Sequence, residues 1–189
     1  MTKELFVVCV DYNPAIASTT IPLLKEYAKK INAAFTVITE RKYPKFPPTY
    51  EKMQVHELGK DNDCNILVDC DMFISKAMYD VTEVVSEGVG AWEEYDPSLT
   101  IKRDEYIKLD GSDRIPATNF MVVWKDQHET WKPFDITFEE ASSRMKRLFV
   151  IDEYCVGRNI KRCGFLVRGL LLPGTYGALF YHKNLTTNS

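Results

Sequence analysis

The chain of 189 residues is long enough to bury a core and fits one domain. Hydrophobic residues at 45% and charged residues at 27% exclude disorder as the default, and a net charge of −3 argues against a nucleic-acid partner, which calls for a basic excess. Five cysteines, odd in number and without a C-x-x-C pair, favour reduced thiols over a disulfide framework or a zinc site. No apolar run approaches the ~18 residues of a membrane span, and Met1-Thr2-Lys3-Glu4 leads into a strand, so a cytoplasmic location is expected.

Leu5 to Val10 reads as a buried strand ending at Asp11-Tyr12-Asn13-Pro14. Ile21, Leu24, Ala28 and Ile31 then recur at helical spacing, with Thr19 or Thr20 as the expected cap and Pro22 in the first turn. Phe35 to Thr39 forms a second strand, followed by Glu40-Arg41. This β-α-β order favours a parallel sheet with right-handed crossovers. Pro44, Pro47 and Pro48 make residues 42–49 a loop, after which Thr49 is expected to cap a short helix to about Leu58 that carries Lys52.

The strand Asn65 to Asp69 comes next and runs into Asp69-Cys70-Asp71. Ser75 to Glu87 shows Met78, Val81 and Val85 on one helical face, and Gly88 to Trp92 reads as a short strand with close backbone approach. Gly88 and Gly90 open a G-x-G, but Glu93 stands where a dinucleotide fingerprint needs glycine, so a Rossmann site is rejected. Residues 93–116 are polar and irregular, a length of connection that is more often functional than idle. Thr118 to Trp124 returns as a strand, and Thr137 with Glu140 forms a capping box for a helix that turns Phe138, Ala141, Met145 and Leu148 inward. Phe149-Val150-Ile151 leads into Asp152-Glu153 and a helix to about Arg162, and after short apolar runs the tail ends on His182-Lys183-Asn184.

The chemistry centres on Asp69 and Asp71. Residues i and i+2 of an extended chain point to one side about 6.6 Å apart, so two carboxylates leave one strand end together while Cys70 faces the core. In an open α/β sheet ligands bind outside the carboxyl ends of the strands. Paired carboxylates there suit a hard divalent cation such as Mg²⁺ or Mn²⁺ whose shell is completed by substrate phosphates.

The order of these features carries a resemblance. Asp11-Tyr12 after the first strand, Lys52 on a helix before the central strand, hydrophobic-D-x-D in mid-chain, the late acidic pair Asp152-Glu153 and His182 near the end together resemble a compact GT-A glycosyltransferase, of the soluble type found in bacteria and large DNA viruses. The resemblance implies an α/β/α sandwich with a mostly parallel central sheet. It also implies a single domain over 1–189, with a nucleotide-binding half at about 1–92 and an acceptor-binding half at about 93–189. The implied activity is metal-dependent transfer of a sugar from a nucleoside-diphosphate sugar, usually a UDP-sugar, to a carbohydrate hydroxyl. The compartment implied is the cytoplasm, or the host cytoplasm for a viral enzyme.

Carried over residue by residue, the resemblance implies that Asp71 chelates Mn²⁺ or Mg²⁺, that Asp69 contacts the metal or the ribose, and that His182 is a further metal ligand. Lys183 would hold the diphosphate, although Lys183-Asn184-Leu185 departs from the glycine-lysine-proline pattern of some such families. Tyr12 would stack on the base, Asp11 would accept from its ring N–H, and Arg41 and Lys52 would add base or phosphate contacts. Asp152 or Glu153 would take the proton from the acceptor hydroxyl. Trp92, Trp131 and Phe134 mark where sugar contacts are sought, while His56 and His128 have no partner in the sequence.

Two alternatives remain open. A haloacid-dehalogenase-type phosphatase also ends a strand in D-x-D, but expects Thr or Val where Phe73 stands and places its motif on the first strand. A non-catalytic nucleotide-sugar-binding module would keep the fold without turnover.

Overall fold

The computed structural model describes residues 1–93, 116–145, 147–170 and 180–182. Its main sheet contains β1 (Lys3–Val8), β2 (Ala34–Ile38), β3 (Cys64–Asp69), β5 (Val89–Glu93), β6 (Pro116–Trp124) and β7 (Val167–Gly169). Their order is β2-β1-β3-β6-β5-β7, and a separate two-stranded sheet pairs β4 (Met72–Ile74) with β8 (Phe180–His182). β1 runs parallel to β2 and β3, and β7 runs parallel to β5, whereas β6 lies antiparallel to both of its neighbours. All strands of the main sheet except β6 therefore point one way, and the mostly parallel α/β architecture expected from the sequence is present.

Strand alternation sorts side chains to two faces. Phe6, Val8, Leu67, Met121 and Val123 pack beneath the helix Ile151–Cys163, together with Tyr50, Met53 and Trp131. Leu5, Val7, Ile66, Val68 and Val122 pack on the other face against Leu24, Tyr27 and Ala28 of α1 (Pro14–Lys30). Two cores thus sandwich one sheet.

Several local expectations are corrected. Helix α1 starts at Pro14, with the Asn13 side chain accepting from the Ala15 N–H at 2.9 Å, and Pro22 lies inside it. Thr19 and Thr20 do not cap: the Thr19 hydroxyl donates back to the Ala15 carbonyl at 3.1 Å, the bond a mid-helix threonine makes with the turn behind it, and the single Thr20 hydroxyl proton is shared between the Ile16 carbonyl at 3.0 Å and the Cys70 carbonyl at 2.5 Å. Thr49 does not cap either, because its hydroxyl donates to the Phe149 carbonyl at 3.1 Å. The segment that carries Lys52 is a 3₁₀ helix, Pro48–Gln54, continued by α2 (Val55–Leu58).

The helix expected over Ser75 to Glu87 shrinks to α3 (Val81–Val84). Tertiary bonds hold the preceding backbone out of helical form: Lys30 donates to the Lys76 and Met78 carbonyls at 2.9 and 2.7 Å, and the Tyr27 hydroxyl donates to the Tyr79 carbonyl at 2.9 Å. Helix α4 (Phe138–Arg144) does begin with the Thr137 cap, which accepts from the Glu140 N–H at 3.1 Å. It stops before Met145 and Leu148, so Met145 reaches the core from extended backbone and Leu148 from a separate 3₁₀ turn, Leu148–Val150. The close backbone approach read over Gly88 to Trp92 is present at Gly88, where a Cβ would stand 2.7 Å from the Leu166 carbonyl oxygen. The connection 94–115 lies outside the described residues. Among the described residues no helix is long and apolar enough to cross a membrane.

Candidate active site

From β1 the chain crosses to β2 on one side of the sheet, and β3 then adds on the other side, so the strand order reverses between β1 and β3. Such a switch point opens a crevice at the carboxyl ends of the strands. The residues that leave those ends are Asp11-Tyr12 after β1 and Asp69-Cys70-Asp71 at the end of β3, brought level by the Val8–Asp69 register.

Asp69 meets a buried cation. Lys52, only 3% exposed, donates to Asp69 Oδ1 at 2.8 Å and to Asp152 Oδ2 at 3.0 Å. Thr118 completes the group: its hydroxyl accepts from Lys52 at 3.1 Å and donates to Asp152 Oδ2 at 2.6 Å. Four elements supply these residues: the 3₁₀ helix before α2, β3, β6 and α5 (Ile151–Cys163). Burial alone would lower the Lys52 pKa, but the carboxylates of Asp152 and Asp69 outweigh it and hold the ammonium above its ordinary range. Burial pushes the Asp69 carboxyl up, with Lys52 opposing. Lys52, expected against a substrate phosphate, is instead enclosed between two carboxylates.

Asp71 lies in the turn between β3 and β4 and accepts from the Tyr12 hydroxyl. Burial, reinforced by that bond, raises the Tyr12 phenol above its ordinary range. Tyr12 therefore sits against the acid pair, its ring half-buried beside α1's core. Arg41 is also engaged, donating to Asp11 Oδ2 at 2.8 Å, to Glu51 Oε1 at 3.1 Å and to the Phe46 carbonyl. Glu51, fully buried, further accepts from the backbone N–H groups of Lys42 and Tyr43, both at 2.9 Å. This node folds the proline-rich loop back onto the crevice and sets Arg41 beside Asp11.

The register of the small sheet pairs Met72 with His182, which brings the His182 backbone next to the turn that holds Asp71. Lys183 and the side chain of His182 lie outside the described residues. Among the described residues no three His, Cys, Asp or Glu side chains stand together as a metal cluster. Asp152 and half-buried Glu153 begin α5 as expected. Trp131 is fully buried and Phe134 stacks on Tyr50, so both serve the core, and the side chain of Trp92 is outside the described residues. His56 and His128 stack on each other with ring centroids 5.1 Å apart, and His128 reaches Asn65 at the amino end of β3, remote from Asp69.

Sequence reasoning missed Thr118 and Glu51. A threonine early in an otherwise apolar strand is a weak signal of a buried polar partner, and Glu51 carried none. Thr118 stands where the β5–β6 pairing jumps from Ala91–Met121 to Trp92–Ala117. Such irregularities re-aim side chains next to sites.

No protein-family model matches the chain, and no curated protein matches it. Among solved structures, galactosyltransferase LgtC in complex with donor and acceptor sugar analogs aligns with a TM-score of 0.54 at 12% identity, over 82% of this chain and 69% of that one. An active-site mutant of LgtC aligns with a TM-score of 0.53 at 14% identity, over the same shares of 82% and 69%. A Drosophila β-1,4-galactosyltransferase 7 mutant in complex with manganese, UDP-Gal and xylobiose aligns with a TM-score of 0.51 at 13% identity, over 96% of this chain and 71% of that one. At such identities the likeness speaks to the fold, and the fold of this chain is the α/β fold of GT-A glycosyltransferases.

Proposed function

We propose that this chain is a metal-dependent glycosyltransferase that moves a sugar from a nucleoside-diphosphate sugar, most simply a UDP-sugar, to a carbohydrate hydroxyl. The observation that carries this reading is the meeting of Asp69, Lys52, Asp152 and Thr118 at the carboxyl end of the central strand, in a fold otherwise seen in glycosyltransferases.

A divalent cation is assigned to Asp71, and what supports the assignment is an oxygen donor in a turn whose next residue, Met72, pairs with the His182 backbone. Asp71 and His182 would hold Mn²⁺ or Mg²⁺, which when bound supplies Lewis-acid neutralisation of the departing diphosphate. Asp69, with Oδ1 on Lys52, is left to orient donor hydroxyls or ribose more than to chelate. Lys52 acts as a positioning residue that keeps Asp69 and Asp152 at fixed separation, and Lys183 is assigned to the diphosphate. Asp11, held by Arg41, faces the base, with Tyr12 as the aromatic wall. The acidic pair at the start of α5 supplies the proton acceptor for the acceptor hydroxyl. With Oδ2 engaged by both Lys52 and Thr118, Asp152 is a rigidly held member of that pair.

The test is a thermal-shift screen of nucleotide-sugars with and without Mn²⁺, followed by donor hydrolysis. A ligand at 100 times its Kd stabilises the folded state by about 2.7 kcal/mol. Asp71→Asn is expected to abolish the Mn²⁺-dependent part of the shift and to lower hydrolysis on the order of 100-fold or more. Retention of both by that variant overturns the reading. Release of inorganic phosphate from phosphomonoesters would favour the phosphatase alternative, and binding without turnover the non-catalytic one.

A further inference from the structure

The faces of β1 and β3 opposite the acids carry a different chemistry. Val8 pairs with Asp69, so the register carried one residue further sets Cys9 beside Cys70, on strands about 4.8 Å apart. Both side chains project toward α1, and Cys70 Sγ donates to Cys9 Sγ at 3.0 Å. Both are free thiols, Cys70 buried and Cys9 half-buried, 61 residues apart in the chain. The strand spacing falls within the Cα separations a disulfide spans, about 4.4–6.8 Å, and the sulfurs need to close by only about 1 Å to reach bonding distance.

We infer that Cys9 and Cys70 form a dithiol modification site, oxidised by a hydroperoxide to an intramolecular disulfide that ties the turn between Asp69 and Asp71 to the end of β1. Cys9, the more accessible sulfur, attacks a peroxide oxygen; the O–O bond breaks, water or an alcohol leaves, and Cys9 becomes a sulfenic acid. Cys70 then attacks the Cys9 sulfur, the S–S bond forms as the S–O bond breaks, and the sulfenic oxygen leaves as one water that carries the Cys70 thiol proton. The two thiols lose two electrons and the hydroperoxide gains them, so the step balances with no further reactant.

The remaining cysteines set the contrast. Cys64 is buried at the amino end of β3, Cys155 contacts the Lys132 carbonyl at 3.2 Å and the Tyr50 hydroxyl at 3.9 Å, and Cys163 is exposed at the end of α5. None of these has a sulfur partner among the described hydrogen bonds.

The test treats the reduced full chain with about one equivalent of hydrogen peroxide, counts thiols in denaturant, and maps peptides without reduction. The expected result is a fall from five thiols to three, with a Cys9–Cys70 cross-linked peptide that dithiothreitol removes and that is missing from Cys9→Ser. Five surviving thiols, a sulfinic acid at Cys9, or loss confined to Cys163 through dimer formation overturns the site. Its effect on the proposed transfer reaction is read separately, as a fall of at least about 5-fold in Mn²⁺-dependent donor hydrolysis by oxidised wild type but not by peroxide-treated Cys9→Ser. Equal hydrolysis before and after cross-linking overturns any effect of this tie on the transfer reaction. Absent hydrolysis in the fully reduced protein overturns the proposed function instead and leaves the thiol count standing.

Discussion

Asp69 and Cys70 are consecutive residues at the end of one strand, and they enter two unlike environments. Beneath α5, Asp69 joins a cation, a second carboxylate and a hydroxyl. Beneath α1, Cys70 joins a thiol and apolar side chains, while its carbonyl accepts from Thr20 at 2.5 Å. The charged face tolerates no missing partner, because an ion left alone in a buried site bears its full desolvation cost. The thiol face is built of weak contacts and tolerates change. One strand end thus joins a rigid electrostatic assembly to an adaptable apolar one.

The largest break in this comparison is Lys52→Met, which leaves Asp69 and Asp152 close together without a cation. It is expected to cost about 3–5 kcal/mol in denaturant unfolding. Combination with Asp152→Asn should recover part of that loss, and a single-variant cost below about 1 kcal/mol would show that the cluster does not hold the fold. The pH dependence follows the same logic. A lysine held above its ordinary range stabilises the fold fully at neutral pH, and that contribution fades as pH rises through its raised folded value. Wild type should therefore lose stability on alkaline titration in a way that Lys52→Met does not.

Thr118→Val removes a hydroxyl that serves two charged partners and should cost about 1–3 kcal/mol, measured by the same unfolding curves. On the opposite face, Cys9→Ser should stay within about 1 kcal/mol of wild type. A larger loss there would show that the thiol face is as tightly specified as the charged one.

The smallest effect is expected at the surface. Asp135 is held down to about 2 by hydrogen bonds from Arg162 and Arg158. A depressed carboxyl stabilises the fold above the ordinary carboxylate range and loses that contribution as pH falls from about 4 to about 2. Asp135 is exposed, so solvent screening reduces the effect. Asp135→Asn should remove only a slight, salt-sensitive part of the acid dependence of the thermal midpoint.

What was legible in advance was local. The apolar run into Asp69, the capping box at Thr137 and Glu140, and the acids opening α5 are read from neighbours within about four residues, where strand alternation and helix capping operate. The helix expected at 75–87 failed because Lys30 and Tyr27, distant in sequence, claim its carbonyls.

The sequence by itself determined the α/β class, the acid that ends the central strand and the core-facing Cys70, since these depend on periodicity and on which residue types sit at a strand end. Tertiary structure alone decided that Lys52 turns inward between Asp69 and Asp152, that Thr118 completes the group, that Arg41 pairs with Asp11 and Glu51, and that Cys9 meets Cys70. Those partners lie 10 to 100 residues apart in the chain. No periodic pattern encodes such pairings; they follow from the register of parallel strands and from the need to satisfy every charge the core encloses.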